Sequence, residues 1–316
     1  MKHDPIFLEP VFQERIWGGT ALRERFGYDI PSDRTGECWA ISAHPNGQTK
    51  VKNGVFEGMP LGAVWAEHRE LFGDRKEDSF PLLVKLIDAN DDLSVQVHPG
   101  DAYARAHENG ERGKTECWYV VDCDEDSELV FGHHAESREQ LKTMIDEDDW
   151  SELLRKVKIK PGDFLYVPSG TVHAIPAGAL ILETQQSSDT TYRVYDYDRK
   201  DENGNGRELH LAKALDVIEV PHRDPELRRE VKKIGETTFT TLLNSKYFTV
   251  GLWELNGKAT LEQDADFCLV SILDGAGQIS ANGQDFPFEK GDHLILPSGL
   301  GAFDVEGTAV GITSHP

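Results

Sequence analysis

The segment KPGDFLYVPSGTVHA, residues 160–174, contains the pattern that decides the fold. A Gly-Asp turn leads into a short apolar run, which ends at a Pro-Ser-Gly turn and is followed by His173. A second segment, KGDHLILPSGLGAF at residues 290–303, repeats this order of glycine, acid, apolar run and Pro-Ser-Gly turn. Turns that enclose a short strand in this way are typical of hairpins in small antiparallel barrels. The repeat therefore predicts two duplicated barrels.

The two segments align without a gap when Gly162 is placed on Gly291. In this register His173 falls on Ala302, so only the first copy has a histidine at this position. Turns of these types also recur by chance in β-rich chains, but a shared register over the whole segment favours duplication. We therefore expect functional chemistry in the first copy alone.

Most of the remaining sequence consists of short apolar runs that end at Gly, Pro, Asn or Asp, which is the pattern of many short strands. The predicted strands are residues 84–87, 93–97, 118–121, 128–131, 156–159, 164–167, 180–184, 249–255, 269–273 and 293–296. Helical periodicity is limited to residues 61–72, 137–157 and 208–220. The prediction is a mainly β protein of two antiparallel β-barrels with a few added α-helices; the family resemblance described below implies that the barrels are of the cupin (jelly-roll) type.

A charged stretch, PHRDPELRREVKK at residues 221–233, has the composition of a linker. We place a domain boundary at its start. Residues 1–220 would form the metal-binding domain, with helical additions that include about 137–157. Residues 221–316 would form a second, degenerate domain without metal ligands.

The charge of the chain excludes some classes of partner. The 316 residues carry a formal net charge of −23, so the protein repels nucleic-acid phosphates and anionic lipid. The four cysteines form no CxxC pair, and no apolar run approaches the length of a membrane span. We expect a cytoplasmic protein that is a monomer or a weak homodimer and binds neither nucleic acid nor membrane.

Four side chains could bind a metal ion. Gln96 and His98 are two residues apart in a predicted strand and would share a face, while Glu116 opens another strand. His173 adds a second imidazole. Any one of these residues is more often an ordinary hydrogen-bonding group, but together they suit a borderline divalent cation such as zinc. Such an ion could polarise a hydroxyl or carbonyl oxygen of a substrate.

The sequence resembles a known family in several ordered motifs. These motifs are Trp17-Gly-Gly, Gly36-Glu-Cys-Trp, Lys85-Leu-Ile-Asp-Ala, Gln96-Val-His-Pro, Lys114-Thr-Glu-Cys-Trp, Pro168-Ser-Gly-Thr-Val-His-Ala-Ile and Ser188-Asp-Thr-Thr-Tyr-Arg-Val-Tyr-Asp-Tyr-Asp-Arg. They resemble the type I mannose-6-phosphate isomerases (phosphomannose isomerases) of the cupin superfamily in their short bacterial form, over nearly the whole chain.

This resemblance implies a pair of cupin barrels and one zinc ion per chain. It implies ligand roles for Gln96, His98, Glu116 and His173. The second cupin of the family carries no metal, which agrees with Ala302. The implied reaction interconverts mannose 6-phosphate and fructose 6-phosphate through an enediolate, so a small sugar phosphate is the expected partner.

The reaction needs a group that takes and returns a proton. We favour Glu183, which lies in an apolar strand where burial would raise the pKa of its carboxyl. The alternative is a structural carboxylate bonded to Arg193. Lys114 would share a face with Glu116 and could orient substrate oxygens, and Arg193 matches an active-site arginine of the long form.

Several residues are expected to bind the substrate. Trp17 and Lys85 belong to family segments and are predicted to line the pocket. Tyr195 and Arg199 are predicted to bind the sugar or its phosphate, with paired charges on an edge strand as the alternative for Arg199. His133 and His134 are expected to face solvent and not to bind metal, because they adjoin a polar turn.

Two other functions stay open at this point. Cupin dioxygenases bind iron through three histidines and one glutamate, a set from which Gln96 departs. A non-catalytic cupin that binds a sugar phosphate would keep the barrel without the reaction.

Overall fold

The computed structural model describes residues 3–200 and 204–316, which are mainly β. The strands are β1 Ile6–Glu9, β2 Val11–Gly19, β3 Thr35–Ile41, β4 Ala43–His44, β5 Gly47–Gln48, β6 Lys50–Val51, β7 Leu82–Ala89, β8 Val95–Val97, β9 Glu116–Asp122, β10 Glu128–His133, β11 Leu154–Lys158, β12 Phe164–Val167, β13 His173–Ala174, β14 Ala179–Gln186, β15 Tyr192–Tyr195, β16 Glu230–Ile234, β17 Thr237–Asn244, β18 Thr249–Gln263, β19 Cys268–Ala281, β20 Gln284–Glu289, β21 His293–Leu296 and β22 Gly301–His315. All ten predicted strands are confirmed, with β12 and β21 matching their predicted bounds.

The helices are short. They are α1 Ala21–Phe26, α2 Leu61–Glu67, α3 Asp101–His107, α4 Arg138–Asp146, α5 Trp150–Leu153 and α6 Leu211–Val217, with 3-10 turns at Gly54–Phe56 and Arg69–Phe72. Among the described residues, no helix has the length and apolar character needed to cross a membrane.

The helix predicted over 137–157 is shorter than expected. Ser137 caps its start as predicted, because its Oγ accepts a hydrogen bond of 3.1 Å from the backbone N–H of Gln140. The first helical segment ends at Asp146, and Asp148 adopts a left-handed conformation with φ of 55°. After one further turn, the chain becomes strand β11 at Leu154. The segment predicted as one helix therefore contains two short helices and the start of a strand.

Antiparallel sheets contain nearly all the strands of the described residues. A nine-stranded sheet has the order β16-β17-β18-β22-β19-β21-β1-β6, with β20 paired to β19. A six-stranded sheet has the order β12-β9-β14-β7-β3-β2, and a five-stranded sheet has the order β11-β10-β13-β8-β15. Strands β4 and β5 form a separate ribbon.

The six-stranded and five-stranded sheets share one apolar core. Trp118 of β9 and Ile181 of β14 pack in the same buried cluster as Leu129 and Phe131 of β10. Glu116 lies two residues before Trp118 on β9, so strand alternation places its side chain on the face that Trp118 turns towards the five-stranded sheet. The candidate site lies in the space between these sheets.

The two repeated segments have the same backbone structure. The N–H of Gly162 donates to the carbonyl oxygen of Val120 at 2.8 Å, and the N–H of Gly291 donates to that of Ile272 at 2.9 Å. Both glycines have φ near +90° (89° and 92°), a conformation that other residues rarely adopt. The repeat seen in the sequence is therefore a repeat of turn, strand and hydrogen bonds.

Strand β1 joins the sheet formed by the C-terminal part of the chain. It pairs with β21 on one side and with β6 on the other. The first residues of the predicted N-terminal domain thus belong to the sheet of the predicted second domain.

Candidate active site

Three buried side chains from the two facing sheets converge on one point. His98 follows β8, Glu116 begins β9 and His173 begins β13. The Nε2 atoms of His98 and His173 each lie 3.4 Å from a different oxygen of the Glu116 carboxylate. The potential ligand atoms all lie within 4.8 Å of one another. These three predicted ligand residues, which are far apart in the sequence, therefore form one compact cluster.

The hydrogen bonds of the two histidines orient them as metal ligands. The Nδ1 of His98 donates to the carbonyl oxygen of Thr190, and that of His173 donates to the carbonyl oxygen of Thr171, both at 2.9 Å. A carbonyl oxygen only accepts, so Nδ1 carries the proton and Nε2 presents its lone pair. Both Nε2 atoms and both oxygens of Glu116 are buried without a hydrogen-bond partner. Four converging, unpaired acceptors fit a divalent cation.

The protonation states of the cluster also fit a cation. Burial, with the nearby Lys114 ammonium, lowers the pKa of His98 to about 3. Burial likewise lowers the pKa of His173. Burial alone would raise the pKa of Glu116, but Lys114 and the two histidines outweigh it and hold this pKa well below its usual range. Both imidazoles are neutral and the carboxylate is charged near pH 7, as metal ligation requires.

Gln96 lies beside this cluster on β8, an inner strand of the five-stranded sheet. On β8 it stands opposite His173 of β13 and opposite Arg193 of β15. Its side chain lines the same cavity as Lys114. The structure thus places all four predicted ligand residues at one end of the space between the sheets.

A cavity of about 220 Å³ opens beside the cluster. It is lined by Arg15, Trp17, Glu37, Lys85, Ile87, Leu93, Ser94, Gln96, Lys114, Ile175, Glu183, Asp189, Thr191, Arg193 and Arg207. Five of these residues are basic and three are acidic, in a chain with a net charge of −23. A larger groove of about 650 Å³ on the surface shares no lining residue with this cavity.

Glu183 lines the cavity from β14 and is 3% exposed. Its Oε2 accepts a hydrogen bond of 3.1 Å from Nε1 of Trp118, while its Oε1 has no hydrogen-bond partner. Burial, reinforced by the negative charge of Glu116, raises the pKa of Glu183 to about 7. Its closest cation is Lys85, with Nζ at 3.8 Å, and no contact to Arg193 is found among the described residues. The alternative of a structural Glu183–Arg193 pair is therefore not observed.

Lys114, which lies two residues before β9, and Arg193, on β15, both line the cavity. The Nζ of Lys114 lies 3.3 Å from Glu116 Oε2, as their shared strand face predicts. Arg193 donates from NH1 to the carbonyl oxygen of Glu208 at 2.8 Å and from Nε to the hydroxyl of Ser94 at 3.3 Å. These bonds fix the guanidinium at the edge of the cavity.

The structure separates the four predicted substrate-binding residues into two pairs. Trp17 and Lys85 line the cavity, as predicted. Tyr195 stacks on Trp150, with ring centroids 4.5 Å apart, and does not line the cavity. Arg199 binds Asp196 and Asp91, the paired-charge alternative for this residue. Of these four residues, we retain Trp17 and Lys85 as substrate-binding candidates.

Sequence reasoning missed several residues around Glu183. Glu37, Arg15, Trp118, Asp189 and Arg207 all approach this space, yet none was singled out as a site residue. Glu37, Trp118 and Asp189 belong to family segments but had no assigned role, and Arg15 and Glu37 lie on β2 and β3, two strands that the sequence did not predict. The expectation of solvent exposure is confirmed for His134 and wrong for His133, which is 4% exposed and hydrogen-bonded to the carbonyl oxygen of Glu219.

Fold and site together define a class: a mainly β protein with a buried His-Glu-His cluster that could hold a metal ion. Residues 6–132 match the family model of the type I phosphomannose isomerase catalytic domain, and residues 238–316 match that of the mannose-6-phosphate isomerase cupin domain. The chain belongs to the type I phosphomannose isomerase family.

Curated relatives and a solved structure agree with this membership. The mannose-6-phosphate isomerase ManA of Bacillus subtilis is 56% identical over 315 residues and is covered fully, as is this chain. The mannose-6-phosphate isomerase of Streptococcus mutans is 52% identical, with 99% of this chain and 98% of the relative covered. A crystal structure of the Bacillus subtilis mannose 6-phosphate isomerase has a TM-score of 0.97 at 53% identity, with 99% of this chain and 100% of that one covered. The resemblance found in the sequence is confirmed.

Proposed function

We propose that this protein is a zinc-dependent isomerase that interconverts mannose 6-phosphate and fructose 6-phosphate through an enediolate. The observation that carries the proposal is the cluster of buried acceptors without hydrogen-bond partners on His98, Glu116 and His173. It lies beside a cavity lined by more basic than acidic side chains. Full-length relatives with the same named activity support it.

His98, Glu116 and His173, together with Gln96, would hold the zinc ion. When bound, a divalent cation at this position stabilises negative charge on the C1 and C2 oxygens of the sugar. The set of two imidazoles, one carboxylate and one amide suits zinc. One carboxylate leaves the site with a net positive charge, which favours an anionic intermediate.

Glu183 carries the proton between C2 and C1. Trp118 holds one carboxylate oxygen, so Oε1 is the atom free to take the proton from one carbon and return it to the other. Burial raises the pKa of Glu183 to about 7, which suits a group that must work in both directions near neutral pH. Lys114 orients the substrate oxygens from the same sheet.

The phosphate binds at the arginine end of the cavity. Arg193 lines it with Ser94 beside it, which adds a hydroxyl, and Arg207 lines it while its guanidinium is held by Asp196. A guanidinium can bind phosphate oxygens with two hydrogen bonds at once. Trp17 and Lys85 also line this cavity.

We also propose that the two repeats belong to two cupin-type barrels, in residues 1–220 and 221–316. The matching turns and hydrogen bonds of the two segments support this. The boundary would then be crossed by β1, which pairs with β21.

A single experiment tests the function. Purified protein of measured metal content is supplied with mannose 6-phosphate, and formation of fructose 6-phosphate is followed by a coupled assay. Turnover that tracks zinc content supports the proposal. Binding of the sugar phosphate without turnover would identify a non-catalytic cupin, and oxygen consumption with bound iron would identify a dioxygenase.

A further inference from the structure

A row of alternating charges crosses the six-stranded sheet beside the metal cluster. Its members are Arg15, Glu37, Lys85 and Glu183, on β2, β3, β7 and β14. Arg15 NH2 lies 2.9 Å from Glu37 Oε2, which lies 3.9 Å from Lys85 Nζ. Lys85 Nζ in turn lies 3.8 Å from Glu183 Oε1. The row links the proton carrier to a carboxylate two strands away.

Lys85 is shared almost equally between the two carboxylates. It is 3% exposed, and its Nζ lies 4.9 Å from the centroid of the Trp39 ring. Neither carboxylate lies within hydrogen-bond distance of it. The ammonium therefore has no single preferred partner. Its electrostatic interaction with Glu183 is weakened because it interacts with Glu37 as well.

Glu37 is held in place independently of Lys85. Its Oε2 accepts a hydrogen bond of 2.6 Å from Nε1 of Trp39 and one of 2.9 Å from Arg15. Burial opposes its ionisation, but Lys85, Arg15 and Trp39 outweigh burial and lower the pKa of Glu37 to about 2. Glu37 is thus a fixed negative charge throughout the neutral range.

We infer that Glu37 is a positioning residue for the isomerisation, which competes with Glu183 for Lys85 and so keeps Glu183 basic enough to take the substrate proton. The inference rests on the proposed function and on Glu183 as the proton carrier. Glu37 itself acts through Lys85 and exchanges no proton with the sugar.

The charges around Glu183 determine the direction of the effect. Lys85 and Lys114 stabilise its carboxylate, whereas Glu116 and Glu37 oppose ionisation. Removing the charge of Glu37 deletes one opposing charge and leaves Lys85 to Glu183 alone. The pKa of Glu183 then falls, because its charged form is better stabilised.

The test is the pH profile of Glu37→Gln, an isosteric change that keeps an acceptor for Trp39. We expect the acidic limb of the pH profile of kcat/KM, the side on which activity falls with pH, to move to lower pH by about one unit. The value of kcat should fall about threefold because the base is weaker. KM for mannose 6-phosphate should change little. Glu14→Gln, the same change at an exposed position on β2, should leave the limb where it is.

Two further variants give distinct expected results. Lys85→Gln should move the limb to higher pH, opposite to Glu37→Gln, because Glu183 loses its closest cation. Glu37→Asp keeps the charge and should bring the limb back towards that of the unmodified protein. Labelling glutamate with 13C at the carboxyl carbon follows the titration of Glu183 directly, even in a variant with low activity.

The outcomes separate the inference from the function. An active protein whose limb and Glu183 titration are the same with Glu37→Gln as without it overturns the inference alone. A purely structural role for Glu37 would lower the unfolding temperature without moving the limb, and would equally overturn it. Absence of turnover in the unmodified, zinc-loaded protein would overturn the proposed function and this inference with it.

Discussion

Two buried histidines lie in or beside the repeated hairpins, and they differ in how their ring nitrogens are used. In the second hairpin, His293 bonds to the Tyr28 hydroxyl at 2.8 Å through Nε2 and to the Ser271 hydroxyl at 2.9 Å through Nδ1. In the first hairpin, His173 bonds to the backbone through Nδ1 alone, and its Nε2 has no partner.

The comparison shows what distinguishes a ligand from a structural histidine. Burial is the same, since His173 is 1% exposed and His293 is 0% exposed. The difference is an unpaired nitrogen that points at other unpaired acceptors, an arrangement that costs free energy unless a cation occupies it. His293 instead joins the second hairpin to the loop that carries Tyr28.

The largest expected effect is that of His173→Ala. Loss of one ligand should remove bound zinc and lower activity at least roughly 1000-fold, because several kcal/mol of charge stabilisation disappear. Metal analysis and the coupled assay measure both. The matched control is His293→Ala, which should keep zinc and activity. Full zinc content and full activity in His173→Ala would show that His173 is not a metal ligand.

The chemistry is expected only on the side of the first hairpin, where Glu183 faces the cavity. Glu183→Gln should keep zinc but lower kcat by about 100- to 1000-fold, as expected for loss of a general base. Exchange of the C2 proton with solvent, followed by NMR in deuterium oxide, should be lost with it. Exchange at the normal rate would assign the proton to another group, such as Lys114.

The pH dependence of the unmodified protein follows from the raised pKa of Glu183. Below pH 7 the folded enzyme increasingly carries this carboxyl in its protonated form, which cannot accept a proton from C2. Activity should therefore fall about tenfold per pH unit on the acidic side of a midpoint near 7. A flat profile between pH 5 and pH 7 would exclude Glu183 as the base.

A smaller effect is expected for the stability of His293→Ala. The change leaves a cavity and removes partners from Tyr28 and Ser271, so the free energy of unfolding should fall by about 2–4 kcal/mol. Denaturant unfolding with zinc present measures this change. An equal loss of zinc affinity would show that the two histidines are not as different as their contacts indicate.

The smallest effect is expected at the glycines that open the two hairpins. Gly162→Ala should cost about 1 kcal/mol, because an added methyl group meets strain at this positive φ but open space around it. Gly291→Ala should cost more, since its Cβ would lie 3.1 Å from the Tyr28 hydroxyl oxygen. Thermal unfolding of the two variants side by side measures the difference.

The sequence predicts the strands of the fold well and its pairing poorly. Gly, Pro and Asp mark the ends of β12 and β21, so their bounds follow from local turn chemistry. Nothing local indicates that Ile6 pairs with Ile295, because strand pairing depends on residues far apart in the chain. The helix predicted to run through 154–157 failed for a similar reason, since pairing with β10 makes this segment a strand.

For the site, the sequence predicts what lies within one strand and misses what lies across strands. Gln96 and His98 share a face by simple alternation. Tyr195 should share the face of Arg193 by the same rule, but a register shift between them interrupts the alternation, and the tyrosine turns to Trp150. The position of Glu37 near Lys85 depends on how β3 pairs with β7, which no single segment indicates.

The pairing of β1 with β21 has a consequence for synthesis of the chain. Residues 6–9 leave the ribosome long before residues 293–296, the strand with which they pair. Until β21 is made, one edge of the apolar strand Ile6–Glu9 lacks its partner. Unpaired strand edges favour pairing with other chains. Completion of the large sheet is therefore a high-contact-order event, and a chain interrupted before residue 293 leaves β1 without this partner.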